Sequence, residues 1–300
     1  MRNAFSEQLY IEAIKSNDVY IVVSDISPVG SMDDFSKKYP ERFLNVGVAE
    51  QSMIGIAAGL ALNGKKVFAY TIATFSLYRP FEMVRVDLCY QNLPVTVVGM
   101  GAGVIYSTLG GTHHTMEDVA IASAIPNMQV IAPCDPSETK LITSYCANQN
   151  KGPIYLRLGK AGEPELTKDC EPWEFGKVRY LRKGKSTCII SYGITCSLAL
   201  KLSDELDKGK SSVVNCHTIK PLDESGIKKI LKDYERIIVV EEMVFSGSLS
   251  SMIESLAWRI NAKCDLKIFT LKDEFIHCYG SHKDLLNKHD ISIQKILKKI

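Results

Sequence analysis

The amino-acid sequence predicts an α/β protein of two domains, each with a mostly parallel sheet covered by helices. Short runs rich in Val and Ile alternate with helical patterns along the 300 residues, which is typical of parallel sheets with helices on both faces. The alternation breaks between residues 162 and 186, where the sequence is charged and contains two prolines. We therefore assign residues 1–165 to a first domain, 166–185 to a linker and 186–300 to a second domain.

Four apolar runs and three helical patterns predict the elements of the first domain. The strands are VYIVVSD (19–25), KVFAYTI (66–72), LPVTVVGM (93–100) and MQVIAPC (128–134). The helices begin at Glu50, lie around RPFEMVRVDLCYQ (79–91) and cover DPSETKLITSYCANQ (135–149). In the last of these, Asp135 is predicted to cap the helix, with Pro136 in the first turn and Glu138 at capping-box spacing.

A second, shorter alternation predicts the second domain. Its strands are STCIISYG (186–193), SSVVNCHTI (211–219) and RIIVVEE (236–242). Its helices are SLALKLSDELDKG (197–209) and ESGIKKILKDYE (224–235). The preceding linker has a short strand-like piece in its middle and is interpreted as a crossover.

Charge and cysteine content exclude several classes of function. The net charge is only +2, which offers no basic surface for nucleic acid. The nine cysteines are odd in number and lack CxxC spacing, which indicates reduced thiols in a cytoplasmic protein and no metal site. The first residues lack the apolar core of a signal peptide, and no apolar run is long enough to predict a membrane span.

One carboxylate, Glu50, stands at the head of an otherwise apolar or small helix. In residues 51–62 the apolar side chains cover nearly the whole circumference, and Gly64 ends the pattern. We expect this helix to be buried in a layered core, with Gly55 and Gly59 allowing a neighbour to approach closely. Glu50 is then either an acid stabilised by the helix dipole or a buried acid with a chemical task, and the stretch alone leaves both open.

The loops after the predicted strands carry glycines, histidines and aromatic residues, and such loops bind ligands in α/β proteins. The loop GMGAGVIYSTLGGTHHTMEDVA (99–120) matches neither GxGxxG nor a P-loop, and its His113 and His114 are either a catalytic pair or packing residues. Phe75 and Tyr78 follow a strand, and they either pack in the core or form a stacking wall for a flat heterocycle.

In this order, the segments resemble the transketolase family of thiamine diphosphate enzymes. The motifs that carry the resemblance are MRNAF, SDISPVGSMDDFSKKYPERFLNVGVAEQ, TFSLYRPFEMVR, GGTHHTMEDVAI, AIPNMQVIAPCDPSE, GPIYLRLGK, TIKPLD and VVEE. The resemblance covers essentially the whole chain and implies a thiamine diphosphate pyrimidine-binding domain followed by a transketolase C-terminal domain. The 1-deoxyxylulose-5-phosphate synthases share most of these motifs, so the resemblance indicates the superfamily more firmly than the reaction.

The resemblance implies a thiamine diphosphate site with Glu50 as its catalytic acid. Glu50 corresponds to the family glutamate that hydrogen-bonds N1′ of the aminopyrimidine and favours the imino tautomer, so that the 4′-amino group takes the proton from thiazolium C2. Phe75 corresponds to the aromatic residue that stacks on the pyrimidine, and Tyr78 to the tyrosine beside it. Asp25, at the edge of the turn after the first strand, corresponds to an acid on the thiazolium side.

The same resemblance implies a substrate site. His113 corresponds to the family histidine that faces the reactive carbon and the substrate oxygens, so it is both a catalytic and a substrate-binding candidate. Arg2, Ser31 and Lys160 fall where transketolases hold the sugar phosphate. Lys160 replaces an arginine, and it keeps the charge but loses the bidentate geometry.

Two residues depart from the family pattern at the substrate end. Leu109 replaces an acid, four residues before His113, that reads the hydroxyl beside the reacting carbonyl. Gly101 replaces another substrate histidine. Because leucine accepts no hydrogen bond, we expect either that this hydroxyl is not read or that the substrate is deoxygenated there.

The sequence also predicts a partner. No GDG motif occurs in the 300 residues, although the diphosphate-binding half of the family carries one, followed by an asparagine, to hold Mg²⁺ and the diphosphate. Since the chain begins with methionine almost directly at the pyrimidine-binding domain, we expect the C-terminal subunit of a split enzyme. The resemblance implies an N-terminal transketolase-like partner with a GDG motif, which supplies the Mg²⁺ ligands in an α2β2 heterotetramer.

The reaction implied is transfer of a two-carbon ketol unit between sugar phosphates. Leu109 and Gly101 also favour an alternative, acetyl transfer from decarboxylated pyruvate to an aldehyde or keto-sugar. A β-type subunit of a 2-oxoacid dehydrogenase shares the domain pair, but GVAEQ and the TH loop follow the transketolase pattern. A non-catalytic regulatory homologue would share the fold, and the retention of Glu50 and Phe75 argues against it.

Overall fold

Residues 1–26, 30–168 and 170–300 are described by the computed structural model, in which strands and helices alternate along the chain. The turn rich in Ser, Pro and Gly after the first strand includes residues 27–29, so part of that motif lies outside the described residues. The described helices include none that is long and apolar enough to cross a bilayer.

Strands and helices have the following bounds. The strands are β1 (Val19–Val23), β2 (Phe43–Asn45), β3 (Lys66–Ile72), β4 (Val95–Met100), β5 (Gln129–Ile131), β6 (Ile154–Leu158), β7 (Arg179–Arg182), β8 (Thr187–Ser191), β9 (Ser212–Asn215), β10 (Thr218–Lys220), β11 (Arg236–Val244) and β12 (Asp265–Leu271). The helices are α1 (Arg2–Lys15), α2 (Ser31–Lys38), α3 (Glu50–Leu62), α4 (Ala73–Leu77), α5 (Phe81–Met83), α6 (Asp118–Ala124), α7 (Pro136–Asn148), α8 (Thr195–Asp207), α9 (Glu224–Asp233), α10 (Leu249–Arg259), α11 (His282–Lys288) and α12 (Ile293–Leu297). A 3₁₀ turn at Pro40–Arg42 precedes β2, and a π-helical segment at Val84–Tyr90 continues α5.

The first sheet has the strand order β10-β5-β6-β4-β3-β1-β2 among the described residues. Its neighbouring strands are parallel, except for β10 and β5, which pair antiparallel. Helices α1 and α7 bury Phe5, Leu9 and Ile142 in one cluster, and α3 and α6 bury Met53 and Val119 in another. The predicted α/β architecture with a mostly parallel sheet is confirmed.

The second sheet has the strand order β12-β11-β8-β9-β7 among the described residues, with only β7 and β9 antiparallel. Strand β7 lies within the segment 166–185 that the sequence analysis assigned to a linker. The predicted strand 211–219 divides, because β9 stays in the second sheet while β10 joins the first. At the crossing point, the Ala132 N–H donates to the His217 C=O at 2.7 Å. Both parts are buried, so the apolar run alone gave no sign of the division.

Helix α3 is covered on one face only, contrary to the expectation of a fully buried helix. Met53 is fully buried, whereas Leu62 is 63% exposed and Ile56 lies on the same open side. A Cβ atom at Gly55 or Gly59 would meet no described atom within 4 Å. Apolar residues around a helix predict burial without showing which chain covers them, and within the described residues these two glycines have no close neighbour.

The predicted cap of α7 is confirmed. Asp135 accepts a hydrogen bond from the Glu138 N–H at 2.7 Å, and Pro136 stands in the first turn. The Glu138 side chain instead accepts from the Cys134 N–H at 2.9 Å and from Arg179 Nη1 at 3.0 Å. Glu138 therefore joins the start of α7 to β7 of the second sheet.

Candidate active site

The carboxyl ends of four parallel strands of the first sheet carry several of the predicted site residues. Asp25 follows β1, Phe75 follows β3, Gly101 follows β4 and Lys160 follows β6. Because neighbouring parallel strands end at one edge of a sheet, these residues share that edge. The Arg2 N–H donates to the Lys160 C=O at 3.3 Å, which brings the start of α1 to the same edge.

Glu50 is the first residue of α3, and its side chain is buried. The turn before it is held by Ser24, whose hydroxyl donates to the Gly47 C=O at 2.8 Å and accepts from the Ala49 N–H at 3.3 Å. Arg79 Nη1 lies 3.2 Å from each carboxylate oxygen of Glu50. The acid for which the sequence suggested no partner is therefore paired with a guanidinium group.

Arg79 also contacts an aromatic cluster. Its Cζ lies 4.3 Å from the centroid of the Phe75 ring, within the range of a cation–π contact. Phe75 meets the His113 imidazole edge to face, with 5.3 Å between centroids, and the Thr112 hydroxyl lies 2.9 Å from His113 Nδ1. Burial, and next the charge of Arg79, lower the pKa of His113, so the imidazole is neutral at neutral pH and can accept a proton.

Tyr78 is held by Glu117, a partner that the sequence analysis did not assign to it. The Tyr78 hydroxyl donates to Glu117 Oε2 at 2.7 Å and accepts from the Glu117 N–H at 3.2 Å. Burial, and next the charges of Asp118 and Glu117, raise the pKa of Tyr78, so the phenol stays protonated. Tyr78 and Glu117 line a cavity of about 290 Å³ together with Phe275 from the C-terminal half of the chain.

Tyr106 is a site residue that sequence reasoning missed. Its ring fills the space that a side chain at Gly101 would need, because a Cβ atom there would overlap it. The same ring meets His113 edge to face at a centroid distance of 5.9 Å, and Lys160 Nζ lies 4.8 Å from its centroid. Burial raises the pKa of Tyr106, and the nearby charge of Arg2 opposes this. An aromatic residue inside a glycine-rich loop was the available signal.

Leu109, Ser31 and Asp25 stand apart from these contacts. Leu109 is exposed on the glycine-rich loop. Ser31 begins α2, and Asp25 is exposed with a left-handed φ of 41°. Among the described residues, no side-chain hydrogen bond or ion pair joins any of the three to Glu50 or His113.

The two neighbouring histidines differ in their surroundings. His114 is buried at 5% exposure, and burial lowers its pKa. His113 is only partly buried and contacts the rings of Phe75 and Tyr106. The sequence left open whether these histidines are a catalytic pair or packing residues. Packing fits His114, whereas His113 belongs to the partly exposed cluster with Phe75 and Tyr106.

Comparison with known proteins gives the family. The transketolase pyrimidine-binding domain matches residues 1–162, and the transketolase C-terminal domain matches residues 176–296. An apulose-4-phosphate transketolase subunit of Actinobacillus succinogenes is 33% identical over 294 residues, which are 96% of this chain and 93% of that protein. The 6-deoxy-6-sulfo-D-fructose transketolase subunit of a Clostridium species is 32% identical over 254 residues, which are 84% of this chain and 78% of that protein.

A solved structure supports the same conclusion. It is described as a split gene transketolase, inactive beta4 tetramer, and it superposes with a TM-score of 0.88 at 29% identity. The superposition covers 99% of this chain and 95% of that chain. The chain belongs to the transketolase family and carries its pyrimidine-binding and C-terminal domains.

Proposed function

We propose that this chain is one subunit of a split, thiamine diphosphate-dependent enzyme and transfers a two-carbon ketol unit between sugar phosphates. The observation that carries the proposal is that Glu50 and Phe75 both contact one flat group, the guanidinium of Arg79, at the carboxyl edge of the sheet. Relatives named as subunits of transketolases support ketol transfer as the reaction.

The residues present fit the pyrimidine end of the cofactor. The Arg79 guanidinium, a flat N–C–N group, contacts the Glu50 carboxylate and the face of Phe75. A flat heterocycle with ring nitrogens can use the same two groups, Glu50 by a hydrogen bond and Phe75 by stacking. When bound, the cofactor supplies the carbanion that carries the two-carbon unit. We assign Tyr78 and Asp25 to the same site.

His113 is proposed to accept and return a proton at a substrate oxygen. Its lowered pKa keeps the imidazole neutral. Because the Thr112 hydroxyl contacts Nδ1, the nitrogen proposed to face the substrate oxygen is Nε2. The rings of Phe75 and Tyr106 hold the imidazole edge to face. A neutral, oriented imidazole is the form that general base catalysis requires.

The substrate phosphate is proposed to bind Arg2, Lys160 and Ser31. The backbone hydrogen bond between Arg2 and Lys160 keeps these two cations at neighbouring positions. Lys160 is exposed at the edge of the site and lies over the Tyr106 ring. A cation in this position attracts an anionic substrate without the fork geometry of arginine.

The substrate hydroxyl beside the carbonyl is proposed to lack a carboxylate partner. Leu109 offers no acceptor, and Tyr106 fills the space beside Gly101. The site therefore suits a ketose that is modified at that carbon, or one whose hydroxyl there is not recognised by the enzyme. Relatives named for apulose 4-phosphate and 6-deoxy-6-sulfo-D-fructose support an unusual ketose as donor.

A partner subunit is proposed to supply the Mg²⁺ ligands and the diphosphate site in an α2β2 assembly in the cytoplasm. Within the part of the chain that is described, no three His, Cys, Asp or Glu side chains are grouped to hold a metal ion. The open face of α3, with Gly55, Gly59, Ile56 and Leu62, allows another chain to pack closely.

Calorimetric titration of thiamine diphosphate and Mg²⁺ tests the proposal. We expect tight binding after this chain is mixed with a GDG-bearing partner and no tight binding by this chain alone. In the mixture, Glu50→Gln is expected to lower ketol transfer by about 100-fold or more. Glu82→Gln, at an exposed acid on α5, is the control. Tight binding by this chain alone would contradict the partner requirement, and absence of binding in the mixture would contradict the function.

Acetyl transfer from pyruvate is the second candidate, and the apolar Leu109 favours it because an acetyl donor has no hydroxyl to read. Carboxyl-labelled pyruvate separates the two reactions, since only this one releases labelled carbon dioxide. Turnover of a ketose phosphate without such release would support ketol transfer.

A further inference from the structure

Arg79 contacts both groups that the proposed function assigns to the pyrimidine ring. Its Nη1 lies 3.2 Å from each Glu50 oxygen, and its Cζ lies 4.3 Å from the Phe75 centroid. The guanidinium edge thus meets the carboxylate while its face meets the aromatic ring. An aminopyrimidine is also flat, carries an N–C–N edge and would use the same two contacts.

Arginines with a structural role in this chain are bound differently. Arg157 is buried and donates from Nε to Asp118 at 2.8 Å and from Nη2 to the Glu242 C=O at 3.1 Å. Arg179 is buried and donates from all three of its side-chain nitrogens. Among the described residues, Arg79 donates from Nη1 only, and its side chain is 46% exposed. The contact between Arg79 and Glu50 is therefore weak enough for another group to replace the guanidinium.

We propose that Arg79 is an internal occupant of the pyrimidine site and must leave Glu50 and Phe75 before thiamine diphosphate binds. This inference rests on the proposed function. The two occupants also need opposite forms of the acid, because a guanidinium donates to a carboxylate whereas a pyrimidine ring nitrogen accepts from a carboxylic acid. In the separate chain, the contact gives the buried carboxylate a partner.

The exchange has two consequences for the site. Because of this competition, the apparent affinity for the cofactor equals the intrinsic affinity multiplied by the fraction of molecules in which the guanidinium is away from Glu50. Departure of Arg79 also removes a positive charge that lowers the pKa of His113. Loss of this one charge acts to raise the pKa of His113 towards its ordinary value.

Arg79→Ala tests the proposal in the complete enzyme. Thiamine diphosphate is titrated calorimetrically into the mixture of this chain with its GDG-bearing partner. We expect the variant to bind about three- to tenfold more tightly than the wild type. Arg79→Lys keeps the charge without the planar group, and we expect an intermediate affinity. Arg85→Ala removes an exposed arginine that pairs with Glu82, so it controls for net charge.

A second measurement omits the cofactor and the partner. The fragment 4-amino-2-methylpyrimidine is titrated into this chain alone and followed by the NMR signals of the His113 ring. We expect the fragment to bind Arg79→Ala at least about threefold more tightly than the wild type or Arg85→Ala. Thermal unfolding of each variant checks that the fold is retained.

The outcomes separate the two proposals. Unchanged or weaker binding by Arg79→Ala would overturn the occupant role, and a weakening would make Arg79 a positioning residue for Glu50. If the wild-type mixture does not bind the cofactor, the proposed function fails, and the fragment titration then decides alone whether Arg79 fills a pyrimidine site.

Discussion

Tyr106 and Gly101 together shape one end of the candidate site. Position 101 has a φ of 73°, a left-handed conformation that glycine adopts at low cost. The Tyr106 ring lies in the space above it and continues towards His113 and Lys160. The two residues therefore have to be changed together if a side chain is to be placed at position 101.

Gly101→His is expected to lower the free energy of unfolding by about 2 to 4 kcal/mol, because it combines a strained φ with overlap of the Tyr106 ring. The double variant Gly101→His/Tyr106→Ala is expected to regain part of this loss. Urea denaturation measures both. Gly111→Ala, at a position where a Cβ meets no described atom within 4 Å, should stay close to wild type. A fully stable Gly101→His would contradict the overlap.

His217 is a buried residue whose surroundings fix its protonation state. Its Nδ1 lies 3.2 Å from Trp173 Nε1 and 2.9 Å from Thr218 Oγ1. Burial, and next the charge of Arg179, lower its pKa to about 3. Between the ordinary pKa of 6.5 and this value, the unfolded chain binds a proton that the folded chain excludes. The free energy of unfolding therefore falls as the pH falls through this window.

We expect His217 to cost about 2 kcal/mol of stability between pH 6.5 and pH 5. His217→Asn keeps an acceptor for Trp173, so it should fold but lose this part of the pH slope. Urea denaturation at several pH values measures the slope, and His277→Asn, at an exposed histidine, is the control. Equal slopes for wild type and His217→Asn would show that the imidazole is not held neutral.

The residue types of the site could be predicted from sequence, but their partners could not. Glu50, Phe75 and His113 were identified from the order of the motifs, and their roles remain proposals. Arg79 and Tyr106 were missed because their contacts depend on side-chain directions and on the path of a loop. Hydrophobic periodicity carries no information on either.

At the scale of elements, the start of α7 joins several segments through one side chain. Asp135 accepts from the Glu138 N–H and also from the backbone N–H groups of Leu166 and Thr167, each at 2.7 Å. The cap thus fixes the segment after β6 against the helix. An N-cap that is also buried should contribute more than an exposed one.

Asp135→Ala is expected to lower the free energy of unfolding by about 2 to 3 kcal/mol, since buried N–H groups lose their acceptor. Ser281→Ala, at the exposed capping box of α11, is expected to cost about 1 kcal/mol. Chemical denaturation of the two variants gives the comparison. Similar costs at both positions would mean that the extra hydrogen bonds of Asp135 add little.

Elements with a clear apolar period were the predictable part of the fold. The pattern placed α3, α7 and strands β1, β3, β4 and β5 of the first sheet correctly, but it did not predict β6. It did not divide the run 211–219 between two sheets, because the strands on either side of the break are both largely buried. It also gave no sign that one face of α3 is open, since apolar residues around a helix do not show which of its faces are covered.

In the whole molecule, hydrogen bonds join the loop after β4 to strand β11 of the second sheet. The Val104 N–H donates to the Glu242 carboxylate, and the Val244 N–H donates to the Met116 C=O at 3.0 Å. On the other side, His282 Nε2 lies 2.9 Å from Glu242. Because such bonds cross between the halves, we expect a single unfolding transition.

The His282–Glu242 pair predicts a pH dependence of opposite sign to that of His217. Burial alone would lower the pKa of His282, but the charge of Glu242 and its hydrogen bond outweigh this and raise it. The stabilisation is complete below the ordinary pKa of 6.5 and is lost as the pH rises through the raised value. The stability difference between wild type and His282→Asn should therefore be larger at pH 6 than at pH 9, as measured by urea denaturation. A constant difference would contradict this.

If the proposed partner packs on the open face of α3, this face has a consequence for the relative amounts in which the two subunits are made. A chain without its partner leaves Ile56 and Leu62 in contact with water beside the glycine positions. Such a surface favours association with a further copy of the same chain. Surplus copies would then be withdrawn from the active enzyme rather than held in reserve. Balanced synthesis of both subunits is therefore expected to give the most activity for a given amount of protein.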